Sequence, residues 1–150
     1  MGIQPMKSIT TVFLCFIILA CSSINRIDYT ADTSNVKDPI SIIKATLEQQ
    51  PPAYAYVPAK VEVTNELITL YMVEPGKLSM FIGGSSIVPT LLYFRNLGDP
   101  RISRSTKYPI WHVEIYDTFG NDLYWVCTQE EKEAKKFVDA MYYMIEINRR

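Results

Sequence analysis

The sequence predicts an α+β domain in which six or seven strands form a strongly bent antiparallel sheet or a partly open barrel. We expect a short helix before the strands and an amphipathic helix after them. Several segments alternate apolar and polar residues with the period of two that a strand requires. The last segment of the chain instead repeats apolar residues at helical spacing. Ten tyrosines, six phenylalanines and two tryptophans also favour strands as the main structure.

An apolar run, residues 12–20, lies between the amino terminus and this domain. All of its residues are apolar or cysteine, and the segment before it carries Lys7 and no acidic residue. A membrane-spanning helix needs about 20 apolar residues. A basic start followed by a stretch of roughly 7–15 apolar residues is typical of a secretory signal. The run therefore predicts export.

The end of the run resembles a bacterial lipobox, with the sequence Ile18-Leu19-Ala20-Cys21. The resemblance implies that residues 1–20 are removed as a lipoprotein signal peptide and that Cys21 carries a thioether-linked lipid. It also implies acylation of the new amino terminus. One acyl chain binds a membrane only marginally, whereas two or more anchor a protein stably. A membrane is thus the first expected partner.

Two alternatives to lipidation stay open, namely a plain signal with an unmodified Cys21 and an uncleaved anchor. If the lipobox is used, Ser22 directly after the cysteine indicates sorting to the outer membrane, on its periplasmic face. The expected location is therefore a bacterial cell envelope.

The exported part opens with a polar segment and a short helix. Residues 21–37 have no regular period and are predicted to form the lipidated start and a tether, ahead of a domain over residues 38–150. Asp38 is predicted as a helix N-cap and Pro39 as the first helical residue. Three apolar residues would share one face of this helix: Ile40, Ile43 and Leu47.

Strand candidates follow, separated by glycine or proline. Residues 60–73 contain two alternating stretches around a turn at Asn65-Glu66. Three further candidates lie at residues 78–84, 89–96 and 100–105. Residues 109–128 give the clearest hairpin, with its turn around Gly120.

The last element is an amphipathic helix. Thr128 and Glu131 have the spacing of a capping box. Apolar residues then recur at helical spacing: Ala134, Phe137, Val138, Met141, Met144 and Ile145. A helix with this stripe must bury it, and the sheet is the surface available.

The final strand pair and this helix, "WHVEIYD…DLYWVCT" and "EAKKFVDAMYYMI", resemble the pleckstrin-homology-like barrel over residues 57–147. The resemblance implies a strongly bent sheet with one open end closed by the helix. Phe137, Ala140 and Met141 would face inward. An unrelated α+β sandwich is the alternative. The turn at residues 64–66 is not basic, so phosphoinositide binding is not expected.

Catalytic and cofactor motifs are not found. A net charge of −1 gives no basic face for nucleic acid, and one histidine with few cysteines makes a zinc site unfavourable. Alternation predicts that Cys127 points inward with Leu123 and Trp125, while His112 points outward with Glu114. On opposite faces they could not form a nucleophile–base pair. We expect no catalytic residue, no metal, no cofactor and no nucleic-acid partner.

Two surface features are candidate binding sites. Four basic residues could contact anionic lipid: Arg95, Arg101, Arg104 and Lys107. The alternative is a solvated strand edge protected by charge. Three apolar residues would form a partner patch if exposed: Met80, Phe81 and Ile82. The alternative is a central strand.

These observations favour a lipid-anchored envelope protein that binds another protein or peptide without catalysis. An exposed sheet edge could receive an added strand from the partner. A structural or assembly lipoprotein of an envelope complex is the alternative. A small hydrolase with an unrecognised site is a further, less favoured one.

Overall fold

A computed structural model describes residues 24–73 and 87–150 of the chain. In chain order the elements are β1 (Ile24–Ile27), α1 (Pro39–Glu48), β2 (Lys60–Val63), β3 (Leu67–Val73), β4 (Ile87–Tyr93), a 3-10 turn (Phe94–Asn96), β5 (Arg101–Ser105), β6 (Trp111–Tyr116), β7 (Asp122–Thr128) and α2 (Glu131–Arg149). The lipobox, the strand candidate at residues 78–84 and the apolar residues Met80, Phe81 and Ile82 lie outside the described residues.

All described strand pairs are antiparallel, and they form two sheets. One sheet has the order β1-β5-β6-β7 and the other β2-β3-β4. The predicted α+β class is confirmed, as are the short first helix and the closing helix. The described strands do not close a barrel and do not form one continuous bent sheet. Phe94 enters the core in the 3-10 turn, and only the isolated bridge between Leu97 and Asp117 continues pairing there.

The core lies between the sheets and the two helices. Helix α1 packs against α2 and β2, and α2 also packs against the 3-10 turn and three strands of the larger sheet. Helix α1 buries Ile43 and Leu47 completely. The predicted stripe of α2 is buried in full: Ala134, Phe137, Val138, Met141, Met144 and Ile145. Helical periodicity therefore identified the inward faces correctly.

The two helices begin differently. At α1 the Asp38 carboxylate accepts a hydrogen bond from the Ser41 amide at 3.1 Å, and Pro39 is the first helical residue, as predicted. At α2 the predicted capping box is wrong. Thr128 is still paired with Trp111 in the β6–β7 ladder, and its hydroxyl donates to the Glu130 carbonyl at 3.0 Å. Thr128 therefore still belongs to strand β7 and lies too far ahead of α2 in the chain to cap the helix.

The β6–β7 turn forms where predicted. Gly120 has a φ of 86°, a backbone conformation that residues other than glycine rarely adopt. The Asp117 carboxylate accepts hydrogen bonds from the Phe119 and Asn121 amides at 2.9 and 2.8 Å. Hydrogen bonds from the Asn121 side chain, and then from the Asn121 and Phe119 backbone amides, lower the pKa of Asp117. The turn is thus fixed by one glycine and one carboxylate.

The described part of the expected tether, residues 24–37, is folded onto the domain. Strand β1 pairs with β5 from Ile24, opposite Ser105, to Ile27, opposite Ile102. Four apolar side chains pack against the core: Ile27, Tyr29, Ala31 and Val36. The sequence of this segment has no regular period, so the burial of its apolar side chains was not predicted. Because these side chains are buried, the segment is part of the domain and not a spacer.

Hydrogen bonds to helix α2 hold the same segment. The Tyr29 hydroxyl and the Asp32 amide both donate to the Asp139 carboxylate, at 2.9 and 2.8 Å. Burial, and then the Asp139 carboxylate, raise the pKa of Tyr29 to about 12. The amino-terminal segment is therefore fixed to both the sheet and the closing helix.

Truncation of the central aromatic residue of α2 tests this packing. Phe137 is completely buried, so Phe137→Ala should lower the free energy of unfolding by about 3–5 kcal/mol in urea denaturation. Lys132→Ala changes an exposed position of the same helix and should stay within about 0.5 kcal/mol of wild type. Equal effects of the two substitutions would contradict the packing of α2.

Candidate functional site

A pocket lies on the outer face of the larger sheet, at the end where β1 begins. Ile24 lies opposite Ser105 in the β1–β5 ladder, and the Ser105 amide donates to the Ile110 carbonyl. The pocket has a volume of about 530 Å³. Its lining is mainly apolar and aromatic, and includes Ile24, Tyr54, Lys107, Tyr108, His112 and Trp125. We call this site the proximal pocket.

Aromatic pairs form its walls. The Tyr54 and Tyr108 ring centroids are 5.3 Å apart, and those of His112 and Trp125 are 5.5 Å apart in an edge-to-face arrangement. Such geometries stabilise aromatic pairs beyond their burial. Tyr54, Tyr108 and Trp125 are nevertheless 40%, 43% and 38% exposed. The pocket therefore presents aromatic surface to whatever lies outside it.

His112 and Cys127 are in contact on this outer face of the sheet. They are directly opposite in the β6–β7 register, and His112 Nδ1 lies 3.3 Å from Cys127 Sγ. The prediction that they occupy opposite faces is wrong. Val126 faces the core, whereas Trp125 and Cys127 belong to the outer face. The apolar character of Leu123 and Trp125 suggested an inward face, but both side chains are partly exposed.

The pKa shifts of the pair are opposite to those expected of an activated cysteine. Burial raises the pKa of the Cys127 thiol. Burial also lowers the pKa of His112, which the Glu114 charge only partly offsets. The sulfur lies 3.4 Å from the Tyr54 carbonyl oxygen, to which the thiol can donate. Reactive cysteines require a lowered thiol pKa, so the burial of this pair does not favour a thiolate.

Gln50 binds Cys127 from the side of β7 that faces away from β6. Its side chain is 4% exposed and accepts a hydrogen bond from the Cys127 amide at 2.9 Å. Its amide nitrogen donates to the Leu47 carbonyl and the Tyr124 hydroxyl, at 3.1 and 3.2 Å. Gln50 thus occupies the edge of β7 next to Cys127, where no other described strand pairs. No pattern in the sequence indicates this role.

The four basic residues proposed for anionic lipid do not form one patch. Arg104 is paired with Asn25 at the start of β1, and its guanidinium lies 5.3 Å from the Trp111 ring centroid. Lys107 lies in the following turn, 5.2 Å from the Tyr108 ring centroid. Both cations are exposed at this end of the sheet, but only Lys107 lines the proximal pocket, whereas Arg104 points to the opposite face of β5.

The other two lie elsewhere. Arg101 is at the opposite end of β5, paired with Glu114, and its guanidinium lies 4.6 Å from the Tyr116 ring centroid. The Glu114 carboxylate accepts from the Tyr116 hydroxyl and, at 2.8 Å, from the Ser103 hydroxyl. Arg101 therefore belongs to a cluster within the sheet. Arg95 lies in the 3-10 turn, over the Tyr93 ring.

An apolar groove lies at the end of the domain opposite the start of β1. It has a volume of about 470 Å³, lies between β4, the 3-10 turn and the β6–β7 hairpin, and is lined by residues including Leu91, Tyr93, Phe119 and Leu123. Phe119 is 90% exposed, Leu91 50% and Leu123 40%. We call this site the distal groove. It has the apolar exposure typical of a surface that binds a partner.

The neighbouring edge of β4 is a poor template for strand addition. The Tyr71 carbonyl accepts from the Ala59 amide, so the polar groups of Tyr71 face β2. Its partner on the other side is Pro89, whose nitrogen therefore faces the edge of β4 at which no other described strand pairs and has no hydrogen to donate. A partner of the distal groove would bind through side chains.

The described residues contain no group of three or more His, Cys, Asp or Glu side chains that could hold a metal ion. Within the same residues, neither helix combines the length and apolar character needed to cross a bilayer. Comparison of the chain with protein-family models, curated proteins and solved structures gives no match.

Alkylation kinetics test the chemistry of Cys127. The raised thiol pKa and 3% exposure predict that iodoacetamide labels Cys127 at pH 7.4 at least about tenfold more slowly in the folded protein than in urea. The rate should rise only in alkaline solution, as measured by peptide mass spectrometry. His112→Ala should not slow the reaction. A rate faster than that of the unfolded thiol, and dependent on His112, would show an activated nucleophile.

Proposed function

We propose that this chain is a lipoprotein of the bacterial cell envelope, anchored through Cys21, whose domain binds another protein without catalysis. The observation that carries the anchor is the motif Ile18-Leu19-Ala20-Cys21 at the end of a basic and then apolar leader. A diacylglycerol thioether plus an amino-terminal acyl chain would hold the protein stably on a bilayer. Ser22 supports the periplasmic face of the outer membrane.

The distal groove supports binding as the activity. Its exposed aromatic and aliphatic side chains, Leu91, Phe119 and Leu123, lie on two sheets and form one concave surface. We assign it to an apolar segment of a second envelope protein, because aromatic anchors in a partly enclosed pocket dominate many protein interfaces. The raised pKa of the Cys127 thiol and the lowered pKa of His112, both caused by burial, support binding over hydrolysis.

The domain is further proposed to be a pleckstrin-homology-like fold. The part of the chain that the structure describes has seven antiparallel strands divided between two sheets, followed by a closing helix that packs on the 3-10 turn and on β5, β6 and β7, and this arrangement supports the assignment. The pairing of β1 with β5 adds an amino-terminal strand to the second sheet. An experimental structure that also covers residues 74–86 would test whether the two sheets meet as that fold requires.

The anchor is tested by substitution of the lipidated cysteine. Cys21→Ser should abolish incorporation of a clickable fatty-acid analogue and leave the precursor uncleaved, because the thioether is formed on this sulfur. Cys127→Ser removes the buried thiol of the domain and should leave labelling and processing unchanged. Normal processing of the Cys21→Ser precursor would contradict lipidation.

The binding activity is tested by site-specific photo-crosslinking in cells. A photoreactive residue at Phe119 should give one discrete crosslinked partner, and Leu91→Lys should reduce its yield at least about tenfold, because charge in a desolvated pocket opposes binding. Leu91 is half exposed, so the substitution should change the free energy of unfolding by less than about 0.5 kcal/mol.

The same photoreactive residue at Ile147, an exposed apolar position on α2, is the matched control and should not capture that partner. Equal capture from both positions, or a yield that Leu91→Lys does not change, would contradict the assignment of the distal groove.

A further inference from the structure

The start of β1 determines how closely the domain can approach its own lipid. Cys21 precedes Ile24 by three residues, and an extended chain advances at most about 3.6 Å per residue. The Cα atom of Ile24 must therefore lie within about 11 Å of the lipidated residue. Because β1 is paired with β5 along its whole length, this distance applies to the sheet and not to a free tether.

We infer that the proximal pocket, with Lys107 in its lining and Arg104 at the same end of the sheet, is a membrane-docking surface that lies against an anionic phospholipid bilayer. This inference rests on the proposed lipidation of Cys21. Ile24, the residue nearest the anchor, lines the pocket. The pocket end of the domain must then be the end closest to the bilayer.

The side chains at this end suit the interface between lipid and water. Tyr54, Tyr108 and Trp125 are partly exposed around the pocket, and tyrosine and tryptophan are enriched at the headgroup level of membranes. Tyr56, near Tyr54 in the chain, is 74% exposed. These rings would contact the acyl-chain boundary while their polar atoms stay hydrated.

Two exposed cations lie at the pocket end of the larger sheet. Lys107 lines the pocket, Arg104 lies on the opposite face of β5 near Trp111, and the residues that line the pocket include no carboxylate. Cations near an anionic bilayer are attracted, so Lys107 and Arg104 favour the same orientation as the anchor.

The orientation leaves the distal groove accessible. Strand β6 runs from Trp111, near the pocket, to Tyr116, next to the hairpin turn. Six residues of strand extend about 20 Å. The distal groove would therefore face away from the lipid, toward other envelope proteins.

Tryptophan quenching in vesicles tests this docking. The full-length processed protein is reconstituted into phosphatidylcholine vesicles with or without phosphatidylglycerol, using lipids brominated near the headgroup. Single tryptophans are introduced as Tyr108→Trp or, as the matched distal control, Phe119→Trp, each together with Trp111→Phe and Trp125→Phe. In anionic vesicles, quenching of the residue-108 probe should be at least about threefold stronger than quenching of the residue-119 probe.

Charge reversal provides a second test that keeps the native tryptophans. Arg104→Glu with Lys107→Glu should reduce quenching of the native fluorescence in anionic vesicles to the level in neutral vesicles, since attraction to the anionic surface is lost. This measurement also decides the matter if the substituted single-tryptophan chains fail to fold. Asp117→Asn with Asp122→Asn is the control and should not reduce quenching.

The outcomes separate docking from anchoring. The intact mass of the same preparation shows whether diacylglycerol is attached, and its absence would overturn the proposed function. An attached lipid with equal quenching of both probes, or no effect of the charge reversal, would overturn docking alone. Strong quenching at residue 108 that depends on Arg104 and Lys107 supports it.

Discussion

The pairing of β1 with β5 is the contact on which the organisation of this protein depends. It joins the amino-terminal segment to the larger sheet from Ile24 to Ile27, and Asp139 of α2 holds the residues that follow. If Cys21 is lipidated, the pairing leaves almost no spacer between lipid and domain. One end of the molecule would then lie at the bilayer and the other would face a partner. A free tether would impose no such orientation.

Most of the fold could be predicted because its determinants are local. Asp38 and Pro39 predict the start of α1, alternation predicts the hairpins, and the apolar stripe predicts the buried face of α2. Strand β1 was missed because its sequence, INRI, is too short to show a period of two and follows a polar segment. The division into two sheets was missed because no glycine or proline marks the 3-10 turn at residues 94–96.

The candidate sites were less predictable because they depend on which residues meet in space. The alternation in β7 was correct, but its apolar members Leu123 and Trp125 are exposed and line surface pockets. Assigning them inward placed Cys127 on the wrong side of the sheet and separated it from His112. The hydrogen bond between the Gln50 side chain and the Cys127 amide depends on the position of α1 beside β7. Arg101 and Arg104 are close in sequence and were therefore assigned to one binding site, but they point to opposite faces of β5.

Hydrogen exchange of the amino-terminal strand measures the central contact most directly. In the processed, membrane-bound protein, the amides of Ile24–Ile27 that face β5 should exchange far more slowly than those of an unstructured chain, because they are bonded in the β1–β5 ladder. Exchange of those amides at the rate of an unstructured chain, with β5 and β6 still protected, would show that the segment is a free tether. The proposed orientation of the domain on the membrane would then be contradicted.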